Sequence, residues 1–237
     1  MTKYYKKKTF KGRKVARIFS LILSLIGVAI FLYVAFPVIS WQIYFAPIFA
    51  SQSFEVPIPK TAVTGGRSIA GLLSNAAAGF SVDYTNAENW YPDAQFKKLT
   101  NLNYSVSIPK INVADAKVSS ADRDLTKHMV QFNTDTAPSQ KGNTLIFGHS
   151  TLPQLYNPND YKTILANAYK LGVGDSIFVN MGKVSYHYKV QSIIVVEPND
   201  TSVLAQDFSD SFITLITCTP PGTIWKRLVI KARLSEL

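Results

Sequence analysis

The stretch "ITLITCTPPG", residues 213–222, contains the only cysteine of the 237-residue chain, Cys218, at the end of an apolar run rich in β-branched residues. A run of this length and composition predicts a buried β-strand. The prolines and the glycine after it predict a turn, because proline cannot donate a strand hydrogen bond and glycine permits tight turns. The thiol is therefore expected where a buried strand ends, and it is either an inert core residue or a nucleophile.

Short strand-like segments continue on both sides of this run. They are "YSVSIPKINV", "NTLIFGH", a hairpin over "SIFVNMGKVSYHYKVQSIIVVEP" that turns at "NMGK", and "KRLVIKARL". The one convincing helical segment begins near Asp160 and ends at Gly172. Many short strands separated by turns, with little helix, predict an all-β domain that forms a closed or nearly closed β-barrel with one or two short helices.

The basic residues are concentrated at the N-terminus. Residues 1–17 carry eight lysines and arginines and no acidic residue. The whole chain has a net charge of +10, and the residues after position 17 contribute only about +2 of it, from 17 basic and 15 acidic side chains. A nearly neutral body argues against a nucleic-acid partner, which would need a basic surface on the folded domain. We expect residues 1–17 to be a cytoplasmic basic tail, with anionic lipid head groups as a further contact.

An uncharged apolar stretch follows this tail. Residues 18–36 contain no charge, and as a helix they would span roughly 28 Å, close to the hydrocarbon thickness of a bilayer. We therefore expect a transmembrane signal-anchor helix at residues 18–38, which Pro37 ends or kinks. A cleavable signal peptide is the alternative, but its apolar core would be shorter, at about 7 to 15 residues. The aromatic residues of a belt at the far interface would be Trp41, Tyr44 and Phe45.

Everything after this helix is expected to be exported. Residues 39–102 would form an extracellular stalk and N-terminal extension, and residues 103–237 the barrel. In the extension, Trp90 and Tyr91 are expected to pack onto the barrel, and a lid over a cleft is the alternative. A chain with one cysteine can form no internal disulfide, so in this compartment Cys218 is either buried and inert or a working nucleophile.

A cysteine nucleophile needs its thiolate, and therefore a base and a cation nearby. Of the three histidines, His149 directly follows an apolar strand and a glycine, which is how a barrel presents a side chain at its rim. His128 and His187 are more simply interpreted as a packing residue and a surface residue. Arg227 lies nine residues after Cys218, across a loop that joins two strands, so the two are expected side by side on antiparallel neighbours. Each of these positions also has a purely structural interpretation.

The combination of "TLITC", an arginine on the following strand and an upstream strand ending in "GH" resembles the sortase family of Gram-positive transpeptidases. The resemblance covers about residues 103–237 and includes "SIPKINV", "TAPSQKGNTLIFGHS" and "LGVGDSIFV" followed by "YHYKVQSIIVVEPNDTSVL". It implies a closed eight-stranded barrel with Cys218 as nucleophile, His149 as general acid and Arg227 as the cation that holds the oxyanion or the substrate.

The resemblance also implies partners and a reaction. Thr217 and Thr219, on either side of the cysteine, become candidate substrate-binding residues. The substrate would be a secreted protein with an LPxTG-like sorting signal, cleaved between Thr and Gly through a thioacyl intermediate on Cys218. The acceptor would be an amine of a cell-wall precursor or of a pilin, and no cofactor is needed. The enzyme would be a single-pass cell-membrane protein with an extracellular catalytic domain.

Other features bear on the subclass. The Cys-to-Arg spacing and "TCTPPG" look closer to class C, D or E sortases than to class A. The segment "NWYPDAQF" has the composition of a class C lid but not its Asp-Pro-aromatic motif, which puts a pilin-polymerising role in doubt. No calcium site is expected, since Asp200, Asp207 and Asp210 are interpreted as solvated loop carboxylates. The alternatives are a catalytically silent surface β-barrel that acts as a binding module, and a cysteine endopeptidase with water as acceptor.

Overall fold

The computed structural model describes residues 11–40, 82–92, 94, 101–132 and 136–235. The chain divides into two compact units, Met1–Ser53 and Phe54–Leu237. The first contains a single described helix, α1, at Lys11–Ser40. Its most apolar window, Ala16–Tyr33, has a mean hydropathy of 2.2 and is not buried, so α1 is long and apolar enough to cross a membrane.

The sequence placed the end of this helix close to Pro37. In the structure α1 continues to Ser40, three residues further. The predicted aromatic belt at Trp41, Tyr44 and Phe45 lies outside the described residues, as does most of the stalk at residues 39–102.

The described residues of the second unit form eight strands that close into a barrel, which confirms the predicted all-β class. In chain order the strands are β1 Asn103–Ile108, β2 Val113–Ser119, β3 Met129–Gln131, β4 Gly142–Phe147, β5 Ser176–Met181, β6 Val184–Val196, β7 Ser211–Thr219 and β8 Lys226–Leu234. Around the barrel they lie in the order β1-β2-β3-β4-β7-β8-β6-β5. Strands β2 and β3 are parallel, as are β4 and β7, and the other neighbouring pairs are antiparallel.

The predicted strands and turns are found with small differences. The hairpin turns at Gly182 (φ +62°), between β5 and β6. The segment "YSVSIPKINV" bends as its proline suggested, because a 3₁₀ turn at Pro109–Ile111 separates β1 from β2. The remaining described 3₁₀ helices are Ala87–Trp90, Pro153–Leu155, Ala168–Lys170 and Thr201–Leu204.

Strands β4 and β7 explain the apolar run around the cysteine. All six residues of β4 and all nine of β7 are buried, whereas β6 mixes buried and exposed positions. A strand covered on both faces reads as a continuous apolar run because neither set of alternating side chains meets water. One face of β7 therefore turns toward the barrel interior, and the other lies beneath additional chain.

The predicted helix from Asp160 to Gly172 is wrong. This segment is a series of turns that ends in the 3₁₀ helix Ala168–Lys170. The amide of Thr163 bonds back three residues to the carbonyl of Asp160, and the amide of Leu165 donates to the carbonyl of His149 at 3.0 Å. In an α-helix that amide would bond four residues back along its own segment. The turns are thus attached to the histidine-bearing loop instead of forming a regular helix.

Candidate active site

Cys218 and Arg227 are directly paired across β7 and β8. The guanidinium Nη1 of Arg227 lies 3.5 Å from the Cys218 sulfur and donates to the carbonyl of Ile224 at 3.2 Å. Both residues are buried, with Cys218 5% exposed and Arg227 1%. The loop spacing in the sequence correctly predicted this side-by-side placement, which puts a fixed positive charge beside the thiol.

His149 follows β4, on the other side of β7. The amide of Gly148 donates to the carbonyl of Ile216, and the hydroxyl of Ser150 donates to the carbonyl of Cys218 at 2.6 Å. The residues on both sides of His149 are therefore bonded to the strand that carries the cysteine. A Cβ at position 148 would lie 2.8 Å from Cδ1 of Leu165, so a side chain there would require Leu165 to shift.

A segment that precedes the barrel, residues 82–92, covers this site, and we call it the covering segment. The indole of Trp90 stacks on Phe147, with ring centroids 5.4 Å apart. The same indole lies 5.7 Å from the imidazole of His149 and 5.0 Å from the guanidinium carbon of Arg227. Its N–H donates to the carbonyl of Tyr84 at 2.9 Å. One aromatic ring therefore contacts both the histidine and the arginine that the sequence selected.

The expectation that Trp90 and Tyr91 pack onto the barrel is confirmed. Both are almost completely buried, and they belong to the same apolar cluster as Phe147, Ile216 and Cys218. Because they pack over the predicted nucleophile, they also occupy the place of a lid, which was the alternative prediction for these two residues. Packing onto the barrel and covering the site are therefore the same arrangement of Trp90 and Tyr91.

The covering segment is held by backbone pairing with the loop between β2 and β3. The amide of Ala87 donates to the carbonyl of Arg123, and the amide of Leu125 donates to the carbonyl of Thr85, each at 2.9 Å. The carboxylate of Glu88 lies 3.5 Å from the Arg123 guanidinium. These few bonds, with the two aromatic anchors, fix the segment on the barrel.

Burial controls the protonation of the site in this covered state. Desolvation raises the pKa of the Cys218 thiol, and the charge of Arg227 opposes that shift only in part. Desolvation also lowers the pKa of His149 to about 4, with the positive charge of Lys162 as a smaller cause in the same direction. At neutral pH the thiol and the imidazole are therefore both uncharged while the segment is in place.

Several buried polar atoms here have no hydrogen-bond partner, although most buried polar groups in folded proteins are bonded. Among the described residues these atoms are Tyr91 Oη, His149 Nε2, Asn167 Oδ1, Thr217 Oγ1, Thr219 Oγ1 and Arg227 Nε. All but Asn167 belong to the covering segment or to the predicted site. Strand alternation directs the side chains of Thr217 and Thr219 to the face of β7 opposite Cys218, and their role in substrate binding stays a prediction.

The other candidates from the sequence have structural partners. His128 contacts Asp122 at 3.1 Å and the carbonyl of Met129 at 2.8 Å, and His187 stacks on Phe178. Asp207 pairs with Lys231 and Asp210 with Arg233. No group of three or more metal-ligating side chains occurs among the described residues.

Sequence reasoning missed Ser150. A serine after a histidine carries no signal by itself, because its bond to the Cys218 carbonyl joins residues 68 positions apart. The only hint was its place in "GHS", directly after the histidine.

Comparison with known proteins identifies the family. The sortase domain of the family models matches residues 106–235, which include all three predicted catalytic residues. Among solved structures, a sortase D5 transpeptidase from Clostridium perfringens is 25% identical, with a TM-score of 0.47 over 60% of this chain and 83% of that one. Sortase A from Corynebacterium diphtheriae is 28% identical, with a TM-score of 0.49 over 61% and 64%. Sortase C-1 from Actinomyces oris is 25% identical, with a TM-score of 0.47 over 56% and 72%.

The search of curated proteins gave no match. The family match alone spans more than half of the chain and the whole set of barrel strands from the middle of β1 to the end of β8. The chain therefore belongs to the sortase family.

Proposed function

We propose that the chain is a membrane-anchored cysteine transpeptidase with Cys218 as nucleophile, His149 as general acid and Arg227 as the oxyanion-stabilising cation. One observation carries this proposal: Arg227 lies 3.5 Å from the Cys218 sulfur, and a single indole contacts both Arg227 and His149. A buried thiol and arginine, with a half-buried histidine that contacts the same indole as the arginine, are the groups that acyl transfer through a thioester requires.

Each of the three side chains has a defined role in the proposed reaction. His149 takes the thiol proton, and the Cys218 sulfur attacks the Thr–Gly carbonyl of an LPxTG-like sorting signal. The carbonyl oxygen becomes an oxyanion beside Arg227, whose planar guanidinium can hold it in a low-dielectric site. The C–N bond then breaks as His149 returns the proton to the leaving glycine amine. An acceptor amine attacks the thioester, a new amide forms, and the C–S bond breaks to regenerate the thiol.

The covering segment must leave before a substrate can reach the thiol. In the covered state Cys218 is buried and its pKa is raised, and His149 is neutral. Displacing Trp90 would let water and substrate reach both groups and move both pKa values toward their ordinary ranges. The covered arrangement is then a resting form of the enzyme.

The partners follow from the anchor and the family. Helix α1 would fix the enzyme in the cell membrane with a cytoplasmic N-terminus, so that the barrel meets secreted proteins as they leave the cell. The acceptor is an amine of a cell-wall precursor or of a pilin. The subclass, closer to C, D or E than to A, remains a prediction from the loop sequence.

The test uses the full chain in detergent micelles with a panel of LPxTG-like peptides, with and without a glycine-terminated amine acceptor. The proposal expects cleavage between Thr and Gly, and a ligated product when the amine is present. Cys218→Ala is the control and should give neither product. Cleavage without ligation at any amine concentration would favour the cysteine endopeptidase, in which water is the acceptor.

A catalytically silent binding module is the second candidate, and the burial of Cys218 favours it. It expects no cleavage of any peptide, even by a variant whose site is uncovered, and equal peptide binding by the wild type and Cys218→Ala. The transpeptidase proposal expects a covalent adduct in the wild type alone.

A further inference from the structure

Ser150 connects the loop that carries His149 to the strand that carries Cys218. Its hydroxyl donates to the carbonyl of Cys218 at 2.6 Å, and its backbone directly follows His149. The loop after β4 thereby gains a side-chain bond to the end of β7. This bond ties the histidine-bearing segment directly to the nucleophile's own peptide unit.

Among the described residues, the other hydrogen bonds of this loop hold the backbone before His149 and at His149, but not directly after it. Gly148 is bonded to Ile216 on β7, and the His149 carbonyl accepts from Leu165. Both bonds fix the backbone before and at the histidine. Nothing among the described contacts binds the imidazole itself: its Nε2 is buried without a hydrogen-bond partner, and its neighbour is the Trp90 ring. Once the covering segment leaves, the backbone on the C-terminal side of His149 is held to the cysteine strand by the Ser150 hydroxyl.

We propose that Ser150 is a positioning residue for the transfer reaction, which holds the His149 imidazole in reach of the amine that leaves the tetrahedral intermediate on Cys218. The inference rests on the proposed function, because it assigns His149 the general-acid role. Ser150 touches neither the substrate nor the reacting atoms. Small displacements of a catalytic group lower the rate steeply, since proton transfer needs hydrogen-bond distance.

The test compares Ser150→Ala with Ser150→Thr in the full chain in detergent. Ser150→Thr retains the hydroxyl and should restore the bond. The matched control is Ser235→Ala, because the Ser235 hydroxyl also donates to a carbonyl of a distant residue, His187 at 2.7 Å, away from Cys218. All variants are checked for an unchanged melting temperature.

Two substrates with the same acyl peptide separate positioning from general structural damage. One is the sorting peptide, whose leaving amine needs a proton; the other is an ester with an acidic phenol as leaving group, which needs none. We expect Ser150→Ala to lower kcat on the peptide by about tenfold to a hundredfold with little change in KM. The loss on the ester should be several-fold smaller, because His149 still takes the thiol proton there but need not protonate the leaving group. Ser150→Thr should recover most of the loss, and Ser235→Ala should match the wild type.

Three results would overturn the inference: full peptide activity in Ser150→Ala, an equal loss on both substrates, or no recovery in Ser150→Thr. A wild type that cleaves no peptide contradicts the proposed function instead. In that case nuclear magnetic resonance of the histidine rings still tests Ser150 without turnover. The His149 signals should shift or broaden in Ser150→Ala but not in Ser235→Ala, with His128 as the internal reference, and unchanged His149 signals would contradict the inference.

Discussion

Two buried polar regions of the barrel differ in how their polar groups are satisfied. In the tyrosine cluster the Tyr104 hydroxyl donates to Gln131, and the Tyr188 hydroxyl accepts from the Ser139 amide and bonds to Ser211. Around Cys218, by contrast, His149 Nε2 and Arg227 Nε are buried without partners. A group whose hydrogen bonds are complete contributes to stability, whereas an unpaired buried group costs stability and is retained where function needs it. The difference distinguishes a structural region from a site.

The largest expected effect is a loss of activity when Arg227, beside Cys218, is replaced. Arg227→Lys keeps the charge but loses the planar fork, so we expect kcat/KM on a sorting peptide to fall by about a hundredfold. The matched control is Arg233→Lys on the same strand, where an exposed arginine pairs with Asp210. That variant should retain activity within about twofold, because surface ion pairs contribute little. Equal activity of the two variants, measured by peptide cleavage, would remove Arg227 from the mechanism.

The next effect concerns access to the thiol. Trp90→Ala removes the ring that covers the site, so alkylation of Cys218 by iodoacetamide at neutral pH should accelerate by about tenfold or more. Trp225→Ala is the control, since Trp225 is 45% exposed in the loop before Arg227. Circular dichroism would verify that the barrel remains folded in both. Unchanged alkylation in Trp90→Ala would mean that the covering segment does not limit access.

The site should also respond to pH through His149. Its pKa is about 4 in the covered state, and it would return toward about 6.5 once exposed. The neutral form therefore stabilises the covered state fully above pH 6.5, and this contribution is lost as the pH falls toward 4. Between pH 7 and pH 5 the uncovered fraction should rise by about twentyfold.

Hydrogen exchange measures this shift at the Ala87 amide, which bonds to the Arg123 carbonyl. Its protection factor, corrected for intrinsic exchange, should fall over that pH range in the wild type and stay constant in His149→Asn. A fall of the same size in His149→Asn would assign the effect to another group.

The smallest expected effect compares two buried tyrosines directly. Tyr188→Phe removes a hydroxyl that is hydrogen-bonded to Ser139 and Ser211, so it should lower the free energy of unfolding by about 1 to 3 kcal/mol. Tyr91→Phe removes a hydroxyl that is buried without a partner, so it should be neutral or slightly stabilising. Urea denaturation measures both. A larger loss in Tyr91→Phe than in Tyr188→Phe would reverse the comparison between the two regions.

The sequence predicted most of what strand periodicity and loop length determine. The apolar run ending at Cys218, the hairpin at Gly182 and the pairing of Cys218 with Arg227 all follow from local pattern and spacing. The helix near Asp160 failed because its amides bond to carbonyls outside the helical pattern, at His149 and within tight turns. Such tertiary partners are not visible in a local pattern.

The covering segment and Ser150 show the same limit within the site. Composition suggested that Trp90 docks somewhere, but only the fold shows that its partners are Phe147, His149 and Arg227. The hydroxyl of Ser150 acts across 68 residues of chain. Long-range contacts of this kind depend on the closure of the barrel, which no single segment encodes.

If Cys218 is the nucleophile, it forms a thioester with a sorting peptide, and intact-protein mass spectrometry detects that adduct. The full chain in detergent, as wild type and Trp90→Ala, is mixed with the peptide panel without an amine and quenched in acid. We expect a mass increase equal to the acyl part of one peptide, located on Cys218, together with release of the glycine-containing fragment. No adduct and no cleavage with any peptide in Trp90→Ala, with the barrel folded and the thiol alkylated normally, would contradict it.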